Sequence, residues 1–334
     1  MSRRAPLLFL GLVLLAAALL LAGLRVGSVA GADYATLWQA LGHYNAENPA
    51  HVVLIELRLP RLLLALLAGG GLALSGYLMQ AMVNNPLADP YLLSTASGAS
   101  LGALVINILL PTASAVTPWL VPLGCLAGAV GATLLVIGLG SRRGRLIPTQ
   151  LLLAGVALSS LLNALGGLIT FRAQTDSQLR AAISWGLGSL ERAGWPLLGG
   201  PAVAVLLGMV AAWLLRRHLN VLLLGEERAA ALGLDVGRTR WLLLLVSSGI
   251  TAGVVALCGP LGFVGLIVPH ATRGLLGVTG RLNVAFCALL GGTFLLGCDL
   301  LARLLNPPAG LPVGLVTALF GVPFFVYLLR KKGA

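Results

Sequence analysis

Side chains that could do chemistry are few in this 334-residue chain, and they stand apart from one another. The four histidines, His43, His51, His218 and His270, form no HExxH and share no Cys/His ladder with zinc-ligand spacing. The four cysteines, Cys125, Cys258, Cys287 and Cys298, lack CxxC spacing and lie in or at the ends of apolar runs, where they read as small packing residues. No Ser/His/Asp set can be assembled. A Walker-type nucleotide loop needs a lysine in a Gly-rich turn before a helix, whereas the only lysines are Lys331 and Lys332 at the C-terminus. The chain is therefore read as a non-enzyme with no metal or cofactor of its own, and any ATP chemistry must come from another chain.

Charge concentrates instead between Arg216 and Arg240, where Arg216, Arg217, His218, Glu226, Glu227, Arg228, Asp235, Arg238 and Arg240 stand between long apolar runs. Its centre, Glu226 to Leu234, has a helical pattern ended by Gly233. An island this short cannot bury a core of its own, so its helix must rest on something else. That makes it a docking surface.

The elements that position these residues are membrane spans. With 58% hydrophobic residues, 10% charged and a mean hydropathy of +0.97, the chain lies far from soluble domains, which carry about 25% charged residues. Apolar stretches near the roughly 20 residues a spanning helix needs fall at about 7–26, 61–82, 92–110, 119–139, 149–171, 196–215, 242–258, 262–278, 283–302 and 312–329. The expected fold is all-α: one polytopic transmembrane domain over 1–334 with about ten transmembrane helices. The first run follows Arg3 and Arg4 and precedes Ala30-Gly31-Ala32, as a signal peptide would. From Leu7 to Leu24 it exceeds the 7 to 15 residues of a usual signal core, and it reads as a retained span.

The net charge of +12 reports topology rather than nucleic-acid binding. With the N-terminus inside and ten crossings, 15 of the Arg and Lys residues fall on the cytoplasmic side and 7 on the other, the positive-inside bias. Both termini are then cytoplasmic. Glycine-rich sites inside spans, Gly69-Gly70-Gly71, Gly166-Gly167 and Gly291-Gly292, let helix backbones approach closely, or permit bending along a conduit. Two punctuations are harder to treat as packing: 84–90, with Pro86 and Pro90, and 259–270, with Pro260 and Pro269. Irregular backbone at membrane depth is tolerated only where protein buries it or water reaches it, so both segments are expected inside the bundle near a path or gate.

Five motifs in register resemble the permease subunit of type II ABC importers, the family that carries ferric siderophores, haem and cobalamin. They are Arg58-Leu59-Pro60-Arg61, Asn85-Pro86-Leu87-Ala88-Asp89-Pro90, Leu153-Ala154-Gly155-Val156-Ala157-Leu158, Leu224-Gly225-Glu226 through Leu232-Gly233, and Gly262-Phe263-Val264-Gly265-Leu266-Ile267-Val268-Pro269-His270 with Arg273. The resemblance implies a subunit of the bacterial inner membrane that dimerises with a second copy of itself. It also implies two partner ATPase subunits, which hold the ATP and magnesium, and a periplasmic substrate-binding protein. Alternating access would then move a metal chelate inward. The breadth of the family favours an iron chelate; cobalamin is the alternative, and the apolar walls do not distinguish them.

The resemblance also assigns roles. Leu224, Gly225, Glu226, Glu227, Arg228, Ala229, Leu232 and Gly233 belong to coupling helices at about 219–238, with Glu226 to Arg228 as polar rim and the leucines and alanines as apolar part. Arg58, Arg61 and Arg303 are docking residues for acidic groups on the binding protein; lipid-phosphate contact or an internal pair with Asp299 is the other reading of Arg303. Asn85 and Thr149 form the cytoplasmic gate, although Pro148 stands where some relatives carry a hydroxyl. A short outer helix within 176–195, with Trp185-Gly186-Leu187-Gly188, would cap the path; interfacial anchoring explains Trp185 and Trp195 equally well. His43 and His51 read as surface histidines, with haem-iron contact as the alternative, and His270 with Arg273 as helix-end residues. An ion-coupled secondary transporter would keep carboxylates at mid-membrane, whereas the acidic residues here, Asp299 included, lie at span ends or in loops.

Overall fold

A computed structural model describes residues 4–26, 33–109, 117–142, 145–173, 175–307 and 310–332. Arg3, the 30–32 tripeptide and Arg143 lie outside the described residues. In chain order the helices are α1 (Arg4–Arg25), α2 (Tyr34–Gly42), α3 (Pro49–Val52), α4 (Leu59–Val83), α5 (Thr95–Leu104), α6 (Thr117–Gly140), α7 (Pro148–Thr170) and α8 (Asp176–Gly186). They continue as α9 (Trp195–Leu214), α10 (Arg216–Leu222), α11 (Glu226–Ala231), α12 (Val236–Cys258), α13 (Val264–Leu276), α14 (Asn283–Leu305) and α15 (Val313–Lys332). The remaining regular backbone is a two-residue hairpin, Ser141–Arg142 with Arg145–Leu146, and short 3₁₀ and π turns.

All ten expected apolar stretches are helical, but they are not equal. Among the described residues seven helices are long and apolar enough to cross a bilayer; Thr95–Leu109 and Val313–Leu328 are shorter apolar segments, and α13 has only 13 residues. At 1.5 Å per residue α13 spans about 20 Å, against a hydrocarbon core of about 30 Å. Irregular backbone at Gly259–Phe263 precedes α13, and the segment after α4 leads into α5. The seventh stretch is longer than its apolar run suggests, because Asp235 accepts the Arg238 amide at 2.9 Å and starts α12 at Val236. Arg238 and Arg240 therefore ride on a span and not in a loop.

The bundle is organised around α4, which packs against α14, α12, α13 and α9. Gly69 explains the closest of these approaches. A methyl group there would overlap the Gly291 carbonyl oxygen, so paired glycines set the α4–α14 separation. Hydroxyls fix α12 on the same helix: Ser75 Oγ lies 2.8 Å from Ser247 Oγ and 2.6 Å from Thr251 Oγ1, all buried. The helical path into α4 begins outside the apolar region, running from Pro49 through a π turn at Val53–Arg58 to Val83 over 35 residues. By contrast α7 exposes Leu153, Val156, Leu161 and Leu168, a whole apolar face left without cover in the single chain.

Candidate functional site

The two irregular segments meet. Tyr91, in a 3₁₀ turn capped by the Asp89 carboxylate (2.8 Å from the Tyr91 amide), reaches Leu261: its phenol accepts from the Leu261 amide at 2.8 Å and donates to the Leu261 carbonyl at 3.2 Å. Among the described residues the only non-glycine positions with positive φ are Asn84, Ser94 and Phe263, which bracket the first segment and end the second. Asparagine tolerates this conformation; for phenylalanine it is strained, and such strain is held only by surrounding structure.

Asn85 is locked into this geometry. Its amide donates to the Gln80 carbonyl at 3.1 Å, and its side-chain oxygen accepts the Leu87 amide at 3.0 Å, an Asx turn that fixes the loop after α4. Thr149 lies exposed in the first turn of α7, and no hydrogen bond joins it to Asn85 among the described residues. The two segments are coupled instead further along α7. A methyl group at Gly155 would overlap the Leu92 carbonyl oxygen, and Ser94 Oγ donates to the Gly155 carbonyl at 2.8 Å. Gly155 is thus the position in the fifth-span motif that requires its residue type. Ser94 and Ser159, 3.1 Å apart, complete a contact that no motif in the chain singles out.

The Val83 end of α4 is gripped by two arginines. Arg273 of α13 donates to Gln80 Oε1 and lies 5.5 Å from the Tyr77 ring centroid, while Gln80 Nε2 donates to the Gly265 carbonyl at 3.2 Å. Arg240 of α12 donates from Nε to the Met82 carbonyl at 3.3 Å. His270 packs edge-on against Phe324 at 5.7 Å, a helix-packing role.

At the opposite end, the three arginines expected to face outward are largely spent inside the fold. Arg58 is buried and donates to the Leu24 carbonyl at 2.6 Å, so it staples the end of α1 and does not reach the surface. Arg61 Nε donates to Asp299 Oδ1 at 2.9 Å. Arg303 donates to the Gly23 carbonyl at 2.8 Å, and its Nε stands 3.1 Å from Asp299 Oδ2. Asp299 is wholly buried, while the Arg61 and Arg303 side chains keep 17% and 12% exposure. One carboxylate thus stands against two guanidiniums, and most of the Arg303 guanidinium is buried with it. Two histidine and tryptophan readings change as well. His51 is buried and its Nδ1 accepts the Asn45 amide at 3.2 Å, so it is no surface histidine, while His43 is exposed. Trp185 is buried and no interfacial anchor; Trp195 donates to the Ile55 carbonyl at 3.0 Å.

The charged island folds as α10 followed by the single-turn-and-a-half helix α11. Gly225 and Gly233, at φ of +102° and +82°, bound α11 with a backbone conformation that other residues resist. Glu226, Glu227 and Arg228 are exposed, and Leu224 and Leu232 flank them at 48% and 66% exposure. Ala229 points the other way, fully buried, and anchors α11 rather than facing outward. Arg240 ties the helix down: its Nη2 lies 2.9 Å from Glu226 Oε2. The short helix thus presents an exposed apolar pair around a polar turn, held on a buried base.

Residues 14–331 match the model of the FecCD transport family. The chain is 36% identical over 334 residues to the Hemin transport system permease protein HmuU of Yersinia pestis, covering 99% of this chain and 98% of the relative. It is 37% identical to the Fe(3+) dicitrate transport system permease protein FecD of Escherichia coli, covering 98% of each. With the Cobalamin import system permease protein BtuC of Halobacterium salinarum it shares 38% identity over 86% of this chain and 76% of the relative. A solved chain assigned to the metal-chelate type of ABC transporter, in an inward-facing conformation, superposes with a TM-score of 0.83 at 30% identity over 98% of this chain and 99% of that one.

Proposed function

The chain belongs to the FecCD transport family, and on that premise we propose that it is the permease subunit of an importer that carries a metal chelate across the bacterial inner membrane. Haem or an iron–siderophore is the leading cargo, because relatives named for haem and for iron dicitrate align over almost its whole length; cobalamin is the alternative. The subunit folds as one permease domain with both termini in the cytoplasm. It works as a pair with a second copy of itself, the uncovered face of α7 (Leu153, Val156, Leu161, Leu168) being available to that copy or to the lipid around it.

The observation that carries this reading is α11: a helix too short to stand alone, presented on a rigid base with exposed Leu224, Glu227, Arg228 and Leu232. Two ATPase subunits, holding ATP and magnesium, would bind there, and Gly225 and Gly233 set the shape they grip. Arg61 and Arg303, positioned by Asp299, would meet acidic groups on a periplasmic binding protein, while Arg58 holds the neighbouring end of α1. Asn85 and Thr149 bound the cytoplasmic exit. Nucleotide-driven movement of α11 would open one face of the path while the other closes.

The test is purification from native membranes followed by vesicle uptake. A Walker-containing ATPase is expected to co-purify in stoichiometric amount and to drive chelate uptake that stops without ATP. Uptake by the chain alone, driven by a proton or sodium gradient, would overturn the proposal.

A further inference from the structure

We infer that Arg240 is the positioning residue that transmits the state of α11 to the loop after α4. The inference rests on the importer reading and deepens it, by naming the contact through which a cytoplasmic helix reaches the gate.

Arg240 stands near the start of α12 with its side chain only 12% exposed. One guanidinium serves two elements: Nη2 meets Glu226 Oε2 at 2.9 Å, and Nε donates to the Met82 carbonyl at 3.3 Å. Met82 is the penultimate residue of α4, and the chain turns at once into left-handed Asn84 and then Asn85. The last carbonyls of a helix have no partner within it. At this terminus the Asn84 amide takes the Ala81 and Gln80 carbonyls and the Asn85 amide also takes that of Gln80, while the Met82 carbonyl accepts from Arg240. A cation placed there also complements the negative end of the helix dipole.

Two properties of the contact distinguish a link from a simple cap. The planar guanidinium fork holds both acceptors in one fixed geometry, which an ammonium group does not. Glu226, its other partner, keeps 61% exposure and opens α11, so it sits where an approaching partner would press. An ion pair with one exposed member adds little stability; what this one does is join the partner-facing helix to the last turn before Asn85. A displacement of Glu226 is thereby passed to the Met82 carbonyl without crossing the rest of the bundle.

The experiment uses the complete complex, chain with ATPase and binding protein, in lipid vesicles. Leu87→Cys reports the gate loop, because Leu87 contributes only its backbone amide to the Asx turn and the four native cysteines are buried. In the reporter background, labelling by a hydrophilic maleimide is expected to change between nucleotide-free and vanadate-trapped states by about fivefold or more, the lower end for coupled sites. Adding Arg240→Met is expected to leave the ATPase bound and hydrolysing while labelling no longer follows nucleotide and transport per ATP falls. Arg240→Lys, which keeps the charge but not the fork, should give an intermediate response. Nucleotide-dependent labelling that persists in both Arg240 variants would overturn the inference while leaving the importer reading intact. A parental complex that holds no ATPase would overturn both.

Discussion

The Tyr91 hydroxyl makes both of its hydrogen bonds to one residue, Leu261, although 170 positions separate them in the chain. The amide and the carbonyl of Leu261 lie where α12 has ended and α13 has not begun, so no helix supplies their partners. A single phenol thereby satisfies both polar groups of an irregular segment inside an apolar bundle, the condition under which such backbone is tolerated there.

Tyr91→Phe keeps the ring and removes both bonds. Leaving buried backbone groups unpaired costs about 1–3 kcal/mol, so the variant is expected to unfold at lower temperature in detergent. An unchanged melting curve would mean that other groups take over the Leu261 amide and carbonyl.

Gly155→Ala places a methyl group against the Leu92 carbonyl oxygen, a backbone atom that cannot swing aside. Overpacking of this kind costs about 1–3 kcal/mol, and the Ser94 contact to the Gly155 carbonyl is expected to break with it. Thermal stability and uptake should both fall, whereas Gly167→Ala on the same helix, with open space around it, should change neither.

Asp299→Asn removes the only carboxylate paired with Arg61 and Arg303 among the described residues. Breaking a buried pair by taking one partner costs about 3–5 kcal/mol, and the end of α1, held by Arg58 and Arg303 through Gly23 and Leu24, should loosen. The melting temperature in detergent is expected to fall. Arg61→Gln, which leaves Asp299 still 3.1 Å from Arg303 Nε, should affect it much less while weakening capture of the binding protein.

Leu224→Asp with Leu232→Asp places two charges at exposed apolar positions of α11 without touching buried Ala229. Folding should be unaffected, and affinity for the ATPase is expected to drop by at least about tenfold, a loss of about 1.4 kcal/mol. Titration of the ATPase against the variant in nanodiscs reads this directly; unaltered affinity would remove the proposed contact.

Much of this was legible because hydrophobicity and punctuation are local. The ten apolar stretches became ten helical segments, and the two Gly/Pro-interrupted stretches became the irregular backbone inside the bundle. Partnership was not legible. Arg58 and Arg61 look alike in sequence, three positions apart at a span end, yet one staples carbonyls of α1 and the other pairs with Asp299. Ala229 and Ala230 are neighbours, but the helical turn buries the first and exposes the second. Arg240 was counted among loop charges because the apolar run begins after it; the Asp235 cap, which draws it onto α12, was the available signal. The fork from Arg240 to Glu226 and Met82 needed three dimensions.

From Leu59 to Val83 α4 is a rod about 37 Å long, extended at its outer end by the π turn and α3. Gly69, where it touches α14 backbone to backbone, lies roughly 21 Å above the inner tip at Val83. With that contact as fulcrum, a tilt of about 5° sweeps the inner tip through roughly 2 Å while the outer end swings the opposite way. Opening below and closing above would then be one motion of one lever, with no signal to relay between them.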